Sequence, residues 1–381
     1  MPDEQNTIST TTEPTTAPAA SVSSIQKLNT WIENHLTRVP FMQKYLFIHH
    51  LQIMTKAGLS IVASLNILAH EVENKKLRNV IEQVKNDIES GQQFSDVLAK
   101  YPSIFPPIYV SMIAAGESAG KMEDALTQVA NQMNKSQRLT SKIRGAMIYP
   151  SVILTAMVGI AIFVVFYILP KIMVMFEEVK VDLPLSTRVL MGVTKFGQHY
   201  WWLVIIIIAG LIILGNRLMK LAKFKKFIHS LNLKIPIFGP VAKKINLARF
   251  TLTLSSLLAS TIPIIEATRI AAQVLGNVIF KENVMATAES LKQGESLSTI
   301  LMRYPETFPP MVTEMIMVGE QSGNTEKMLS ELAEYFNNEV ENTMNNFTTI
   351  IEPVIILALG LGVAGIAVAV IMPMYSLAQN V

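Results

Sequence analysis

Three stretches of this chain, each longer than 20 residues, contain no Asp, Glu, Lys or Arg, and they constrain the fold more than any other feature. About 20 helical residues, rising 1.5 Å each, cross the roughly 30 Å hydrocarbon core of a bilayer. A backbone in lipid must satisfy its own hydrogen bonds, which a single helix does. We therefore expect three transmembrane helices, at residues 146–170, 199–216 and 350–373.

The composition supports a membrane protein and excludes several kinds of site. Charged residues make up 16% of the chain, against about 25% in soluble domains, and the mean hydropathy is +0.36. Buried helices of a soluble protein are the alternative, which this low charge content disfavours. The net charge of +3 does not indicate a nucleic-acid partner. Because the chain has no cysteine, disulfides, thiolate catalysis and iron–sulfur clusters are excluded.

Basic residues beside the uncharged stretches predict the orientation of the helices, because Lys and Arg are retained on the cytoplasmic side. Five of them follow the second stretch: Arg217, Lys220, Lys223, Lys225 and Lys226. They anchor the segment on anionic lipid or, alternatively, bind the acidic face of a partner. We expect a cytoplasmic N-terminus, an extracytoplasmic loop at 171–198, a basic cytoplasmic segment at 217–246 and an extracytoplasmic C-terminus at 374–381.

The first residues have neither the basic start nor the apolar run of a signal peptide. Residues 1–24 are mostly Thr, Ser, Pro and Ala. Such a composition cannot build a core, so we expect a disordered tail, followed by a linker or amphipathic segment at 25–43. The tail is either an inert leader or a peptide that docks a partner.

An internal repeat relates the two halves of the chain. Residues 101–120 and 304–323 are identical at ten of 20 positions, and the same spacing of 203 residues pairs Pro170 with Pro373. Each copy therefore contains a helical region and the uncharged stretch that follows it. Two copies facing the same way require a helix that returns across the membrane between them, and the stretch at 199–216 supplies it.

Apolar residues at helical spacing predict helices throughout both copies, and no alternating strand pattern competes with them. Leu77, Ile81 and Val84 belong to one such face. The expected fold is all-α. It is a polytopic membrane protein with three transmembrane helices and two repeated cytoplasmic six-helix bundle domains, at 44–145 and 247–349.

The repeat is strongest in a motif that reads Tyr-Pro-x-x-Phe-Pro-Pro and, four residues later, Met-Ile-x-x-Gly-Glu-x-x-Gly. Proline favours the first turn of a helix, glycine allows close packing and turns, and a carboxylate placed before the next helix stabilises its N-terminus. We interpret the motif as structural; contact of its glutamates with a partner is the alternative. Its residues are Pro106, Pro107, Gly116, Glu117 and Gly120 in the first copy, and Pro309, Pro310, Gly319, Glu320 and Gly323 in the second.

No set of residues matches a catalytic, cofactor or metal site, and we expect no enzymatic activity. The sequence GESAGKM in the first motif lacks the spacing and the Ser or Thr of a phosphate-binding loop. The six histidines do not form a repeated ligand set, since Leu252 and Thr253 stand opposite His49 and His50 in the other copy.

The third uncharged stretch carries small residues four positions apart, a spacing that lets two membrane helices approach closely. We expect this face to pack on another helix, through self-association or contact with another membrane protein. No charge lies at mid-membrane depth, which argues against an ion path. The small residues are Ala358, Gly360, Gly362, Ala364, Gly365 and Ala369.

The motif in both copies, together with the three stretches, resembles the inner-membrane platform family of type II secretion and type IV pilus systems (GspF and PilC) over about residues 44–377. The resemblance implies a platform in the bacterial cytoplasmic (inner) membrane, without enzymatic activity or cofactor. It couples a cytoplasmic hexameric assembly ATPase to polymerisation of pilin or pseudopilin subunits. It further implies contacts with the lipid bilayer, with other inner-membrane assembly proteins and with further copies of the chain.

Some members of that family bind calcium through two acidic residues one helical turn apart. The corresponding positions here are Thr127 and Asn131, so we expect no calcium at this place. A membrane transporter or pore component is the alternative function. It requires polar residues facing one another within the spans, and the first stretch offers only Ser151, Thr155 and Tyr167.

Overall fold

The structure is a computed structural model in which every regular element of the described residues is a helix. The described residues are 39–171, 185–236 and 238–379. The predicted tail, most of the predicted linker at 25–43, residues 172–184 of the predicted loop and residues 380–381 lie outside them. The chain divides into two compact units between Pro106 and Pro107.

The described part of the first unit, residues 39–106, contains four helices joined by short turns. Ser60 begins the second helix, since its hydroxyl accepts a hydrogen bond from the Ala63 N–H at 3.2 Å. Asn74 begins the third in the same way, accepting from the Leu77 N–H at 3.0 Å. The helices are α1 (Phe41–Lys56), α2 (Ile61–Glu71), α3 (Lys75–Glu89) and α4 (Phe94–Ala99).

The core of this unit comes from one face of each helix. The apolar face predicted for α3 is buried, including Leu77, Ile81 and Val84. From α1, the ring of Phe47 lies 5.8 Å from the ring of Phe105. Full burial of an aromatic or large aliphatic side chain stabilises a fold by about 1.5–3 kcal/mol, so this face holds the four helices together.

The second unit begins with a pair of helices, α5 (Pro107–Ser118) and α6 (Met122–Phe163). A short π-helix (Val164–Ile168) follows, and the helical segment continues to Lys171. Pro150 lies inside α6 without ending it. The last helix predicted for the first domain and the first predicted span therefore form one helical segment of 50 residues.

Between residues 185 and 236, two further helices precede the second copy of the repeat. They are α7 (Leu185–Leu218) and α8 (Ala222–Lys234). Helix α7 has a kink at Tyr200, where φ is −117° and ψ is 19°. Residues 185–198, which the sequence assigned to a loop, are thus helical. Helix α8 lies in the predicted basic segment, for which the sequence indicated no helix.

The second copy repeats the helix order of the first. Its core includes three aromatic rings, with Phe308 5.2 Å from Phe250 and 5.6 Å from Phe280. The first of its helices begins earlier than the predicted domain start at 247. The helices are α9 (Phe238–Ala259), α10 (Ile264–Val274), α11 (Val278–Leu291), α12 (Leu297–Leu301), α13 (Pro310–Ser322) and α14 (Thr325–Gln379).

Two helical segments of the described chain are long and apolar enough to cross a membrane, Met122–Lys171 and His199–Leu218. They contain the first two predicted spans. In α14 the apolar stretch found among the described residues is Ile355–Gly365, which is shorter than a span. The third span at 350–373 stays a prediction.

Each copy has six helices, α1–α6 and α9–α14. The boundary between the compact units nevertheless falls at Pro106, inside the predicted domain 44–145. The two six-helix bundles and their limits at 44–145 and 247–349 therefore stay predictions, whereas the all-helical fold is established.

Candidate functional site

The repeated motif builds the same local structure in both copies, beginning with its prolines. Pro107 and Pro310 are the first residues of α5 and α13. Pro309 precedes α13 with extended backbone, φ −64° and ψ 157°. Because the first N–H of a helix has no partner within the helix, proline is tolerated there and its fixed φ favours the helical turn. The structure thus places Pro107 and Pro310 at helix starts, while the structural role of the motif as a whole stays a prediction.

The glycines of the motif end the same helices. Gly120 has φ +67° and Gly323 has φ +69°, the left-handed region that favours glycine. In the first copy the Lys121 N–H donates to the Gly116 carbonyl at 2.7 Å, and in the second the Asn324 N–H donates to the Gly319 carbonyl at 2.8 Å. Both turns are Schellman motifs, which satisfy the last carbonyls of the helix.

The remaining glycine of each motif allows two helices to touch. A Cβ on Gly116 would lie 2.2 Å from the Ala125 Cβ and 2.9 Å from the Lys121 carbonyl oxygen. A Cβ on Gly319 would lie 3.0 Å from the Met328 Cγ. Only glycine therefore permits the observed approach of α5 to α6. The corresponding contact between α13 and α14 in the second copy is nearly as close. The two helices are in close contact at this position; that the motif serves packing and not a partner stays a prediction.

A buried tyrosine reinforces the contact between α5 and α6. The side chain of Tyr109 in α5 makes a hydrogen bond with Ser136 in α6. Burial raises the pKa of Tyr109 to about 12, and the bond to Ser136 acts in the opposite direction. Tyr109 therefore stays protonated at physiological pH.

Glu320 stabilises a helix other than the one that the sequence predicted. Its carboxylate accepts hydrogen bonds from the backbone N–H groups of Leu297, at 2.6 Å, and Ser298, at 3.1 Å, and from the Ser298 hydroxyl. These groups lie at the N-terminus of α12, more than 20 residues before Glu320, and not in the helix that follows. The physical reason is as predicted, because the free N–H groups and the dipole of a helix start favour a carboxylate.

Glu117 occupies the same motif position in the first copy. It lies in α5 and is half-buried. Because Glu320 is bound inside the second copy, partner contact is not required to explain the glutamate there. Contact of Glu117 or Glu320 with a partner stays a prediction.

Polar side chains join the first copy to the second within the second unit. Gln132 of α6 is only 3% exposed, and its side-chain oxygen accepts from the Ser256 hydroxyl of α9 at 2.7 Å. One turn earlier, Gln128 accepts from the Ser260 hydroxyl. This contact was not predicted from the sequence. The sequence feature that could have indicated it is the polar Gln132, which lies next to the apolar face of α6 that contains Val129.

Ion pairs extend the same contact towards the end of α6. Lys142 pairs with Glu341 of α14. In the second copy, Lys244 of α9 lies 2.7 Å from Glu339. Partly exposed pairs stabilise a fold by roughly 0–1 kcal/mol each, so they orient α14 more than they stabilise it.

Thr127 and Asn131, which correspond to the calcium-binding acidic pair of some family members, lie in different surroundings. Thr127 lines a cleft with Lys121 and Asp124, and Asn131 is exposed. Across 39–171, 185–236 and 238–379, no group of three or more His, Cys, Asp or Glu is placed to hold a metal ion. The absence of calcium binding itself stays a prediction.

The small residues of the third uncharged stretch lie on an open helix face in α14. Apart from the adjoining residues and nearby backbone of α14 itself, no atom of the described chain lies within 4 Å of a Cβ built at Gly360, Gly362 or Gly365. Ala358 and Ala364 are exposed, and the side chain of Ala369 lies outside those described. The expected packing of this face on another helix stays a prediction.

Over the part of the chain that the structure describes, the fold and the motif define an all-helical protein with a duplicated unit and two helices that are long enough to cross a membrane. A family model for protein F of the type II secretion system matches this chain twice, at residues 47–170 and 250–373. Both ends of the second match lie 203 residues after those of the first, which confirms the repeat and its spacing.

Proteins of type IV pilus assembly and proteins of type II secretion both align with nearly the whole chain. It is 33% identical over 349 residues to the type IV pilus assembly protein PilC of Pseudomonas aeruginosa, covering 90% of this chain and 92% of that protein. It is 33% identical over 332 residues to PilC of Thermus thermophilus, covering 87% and 82%. It is 31% identical over 334 residues to the type II secretion system protein F of Aeromonas hydrophila, covering 87% and 85%. The chain belongs to the type II secretion system protein F family, and the resemblance given by the motif is confirmed.

Proposed function

We propose that this chain is the inner-membrane platform of a type IV pilus or of a type II secretion pseudopilus. In that role it couples a cytoplasmic hexameric assembly ATPase to the polymerisation of pilin or pseudopilin subunits. The observation that carries the proposal is the double match to the protein F family over residues 47–170 and 250–373. Relatives with pilus names and with secretion names are 31–33% identical to the chain, so both machines remain within the proposal.

The proposed orientation follows from the repeat and the basic flanks. The N-terminus and the regions 44–145 and 217–349 lie in the cytoplasm, and the region 171–198 and the C-terminus lie outside it. The long helical segment Met122–Lys171 supports this arrangement, since it links the first helical region directly to a span. A third span at 350–373 completes the second copy.

The proposed partners lie in the cytoplasm and in the membrane. The first helical region, 44–145, contacts the ATPase, and the spans contact pilin or pseudopilin and other inner-membrane assembly proteins. The exposed small residues of α14, including Gly360 and Gly362, support self-association or contact with one of those proteins.

Site-specific photocrosslinking in the full chain tests the ATPase contact. A crosslinking amino acid replaces Ile53, an exposed side chain of α1, and a control variant carries it at Asp182 in the proposed extracytoplasmic region. The chain is expressed in its own bacterium in place of the chromosomal copy. We expect crosslinks to the assembly ATPase from position 53 and none from position 182, with surface fibres or secretion retained in both.

Two results would contradict the proposed function. One is normal fibre assembly and secretion in a strain that lacks the chain. The other is the absence of ATPase crosslinks from position 53 and from every other exposed position tried in 44–145, while the variants still support assembly.

A further inference from the structure

Helix α8 follows the second candidate span almost without interruption. The span ends at Leu218, and α8 begins at Ala222. No side chain of α8 is fully buried, although a helix this short is marginal in water without packing. The stability of α8 therefore depends on what contacts its outer face.

The inner face of α8 is attached to the second copy by specific bonds. The Val278 N–H at the start of α11 donates to the His229 Nδ1 at 3.1 Å, and the Asn277 side chain donates to the His229 carbonyl at 3.0 Å. Lys226 lies 2.6 Å from Glu282 of α11. These contacts fix the rotation of α8 about its own axis, so the composition of its outer face is set.

The outer face combines apolar and basic side chains in one stripe. Phe227 is 62% exposed, and Leu231, one turn later, is 47% exposed. Lys223 precedes them by one turn and Lys234 follows them, and both are exposed. Residues four apart lie on the same side of a helix. The stripe therefore reads Lys, Phe, Leu, Lys along the helix.

We propose that α8 lies in the headgroup region of the leaflet next to the second span. Phe227 and Leu231 enter the boundary of the acyl chains, and Lys223 and Lys234 bind the phosphates of anionic lipids. Two observations select lipid over a protein partner. The helix begins four residues after a candidate membrane helix ends, and its apolar pair has a basic residue at each end, which is the pattern of interfacial helices.

This placement has a structural consequence for the second copy. Because His229 and Lys226 attach α8 to α11, a helix fixed in the headgroup region also fixes the orientation of the second copy to the membrane surface. The inference goes beyond the proposed function, and no pilin or ATPase is involved in its test.

The natural absence of cysteine allows a direct test with the full chain. Single variants F227C and N232C carry an environment-sensitive fluorophore, and the protein is reconstituted in nanodiscs with or without brominated lipid. Asn232 is exposed and lies about 140° around the helix from Phe227 at 100° per residue. We expect blue-shifted emission and loss of intensity by bromine at position 227, with little of either at 232.

Further variants keep the test decisive. If F227C does not reconstitute, L231C probes the same face. In nanodiscs containing phosphatidylglycerol, K223Q with K234Q should reduce the quenching at position 227, whereas in phosphatidylcholine alone the pair should have little effect. Equal emission and quenching at 227 and 232, or aqueous emission at 227 and 231, would overturn the proposal.

Discussion

Replacement of Gly116 by alanine tests whether α5 and α6 are in the close contact that the repeated motif requires. The added Cβ would lie 2.2 Å from the Ala125 Cβ and 3.4 Å from its Cα. Carbon atoms pack at about 3.5–4.0 Å, and neither the alanine methyl nor the Lys121 backbone can rotate away. The helices must therefore separate.

The expected cost is that of overpacking, about 1–3 kcal/mol. Against it stands the gain from replacing glycine inside a helix, about 0.5–1 kcal/mol. Gly116→Ala should thus be destabilised by up to about 2.5 kcal/mol. Gly319→Ala should lose less, because its nearest contacts at 3.0 Å include the flexible Met328 side chain. Gly145→Ala is the matched control in α6, since a Cβ there meets nothing within 4 Å.

The assay is thermal unfolding of the full chain in one detergent or nanodisc, followed by intrinsic fluorescence. We expect the midpoints to decrease in the order Gly145→Ala, wild type, Gly319→Ala, Gly116→Ala. A midpoint for Gly116→Ala at or above that of Gly145→Ala would refute the reasoning, because no tight contact could then exist at this position.

Three further predictions concern the second copy and helix α8, which is attached to it. Glu320→Gln should lower the free energy of unfolding by about 1–3 kcal/mol through loss of the charged cap of α12; Glu314→Gln, exposed in the same helix, is the control and should change little in the same thermal assay. Thr261 has φ +59°, where the repeat places Gly58 in the first copy. Thr261→Gly should therefore raise stability by up to about 1 kcal/mol, and Gly58→Thr should lower it; a loss of stability in Thr261→Gly would contradict this. Burial, aided by Lys225, lowers the pKa of His229 below its usual value of about 6.5. Because the unfolded chain takes up the proton first, stability should fall as the pH drops below about 6.5. His229→Asn, which keeps an acceptor, should weaken that pH dependence in thermal unfolding, and an unchanged dependence would contradict the role of His229.

Much of the architecture could be predicted from the sequence because its determinants are local. The helix starts at Pro107 and Pro310 and the turns at Gly120 and Gly323 each depend on a few neighbouring residues. The repeat spacing is read directly by comparing the two halves of the sequence. The first two spans depend on the length and lack of charge of one stretch. Local rules of backbone geometry and hydropathy are sufficient for these features.

The features that the sequence did not predict depend on contacts between distant residues. The position of Glu320 before the next helix suggested a local cap, yet its partners Leu297 and Ser298 lie in the preceding short helix. The pairs of Gln128 and Gln132 with serines of α9 join residues more than 120 positions apart. Spacing along one helix does not indicate which other helix it will contact.

Helix α8 was missed for a different reason. Its high lysine content indicated a basic segment, and the charge dominated the weaker helical pattern of Phe227 and Leu231. Helix formation there is explained by attachment through His229 to α11, a contact of residues 48 and 49 positions apart. Tertiary contacts often determine whether a marginal helix forms.

The orientation of the two copies can be measured directly in the full chain. Single cysteines are introduced at Asp182, between the first two spans, and at Val381, at the end of the second copy, and intact cells are treated with a membrane-impermeant maleimide. A duplicated unit that crosses the membrane in the same direction twice predicts labelling at both positions from outside. Labelling at one position and protection of the other until the membrane is opened would contradict the duplicated orientation on which the platform function is based.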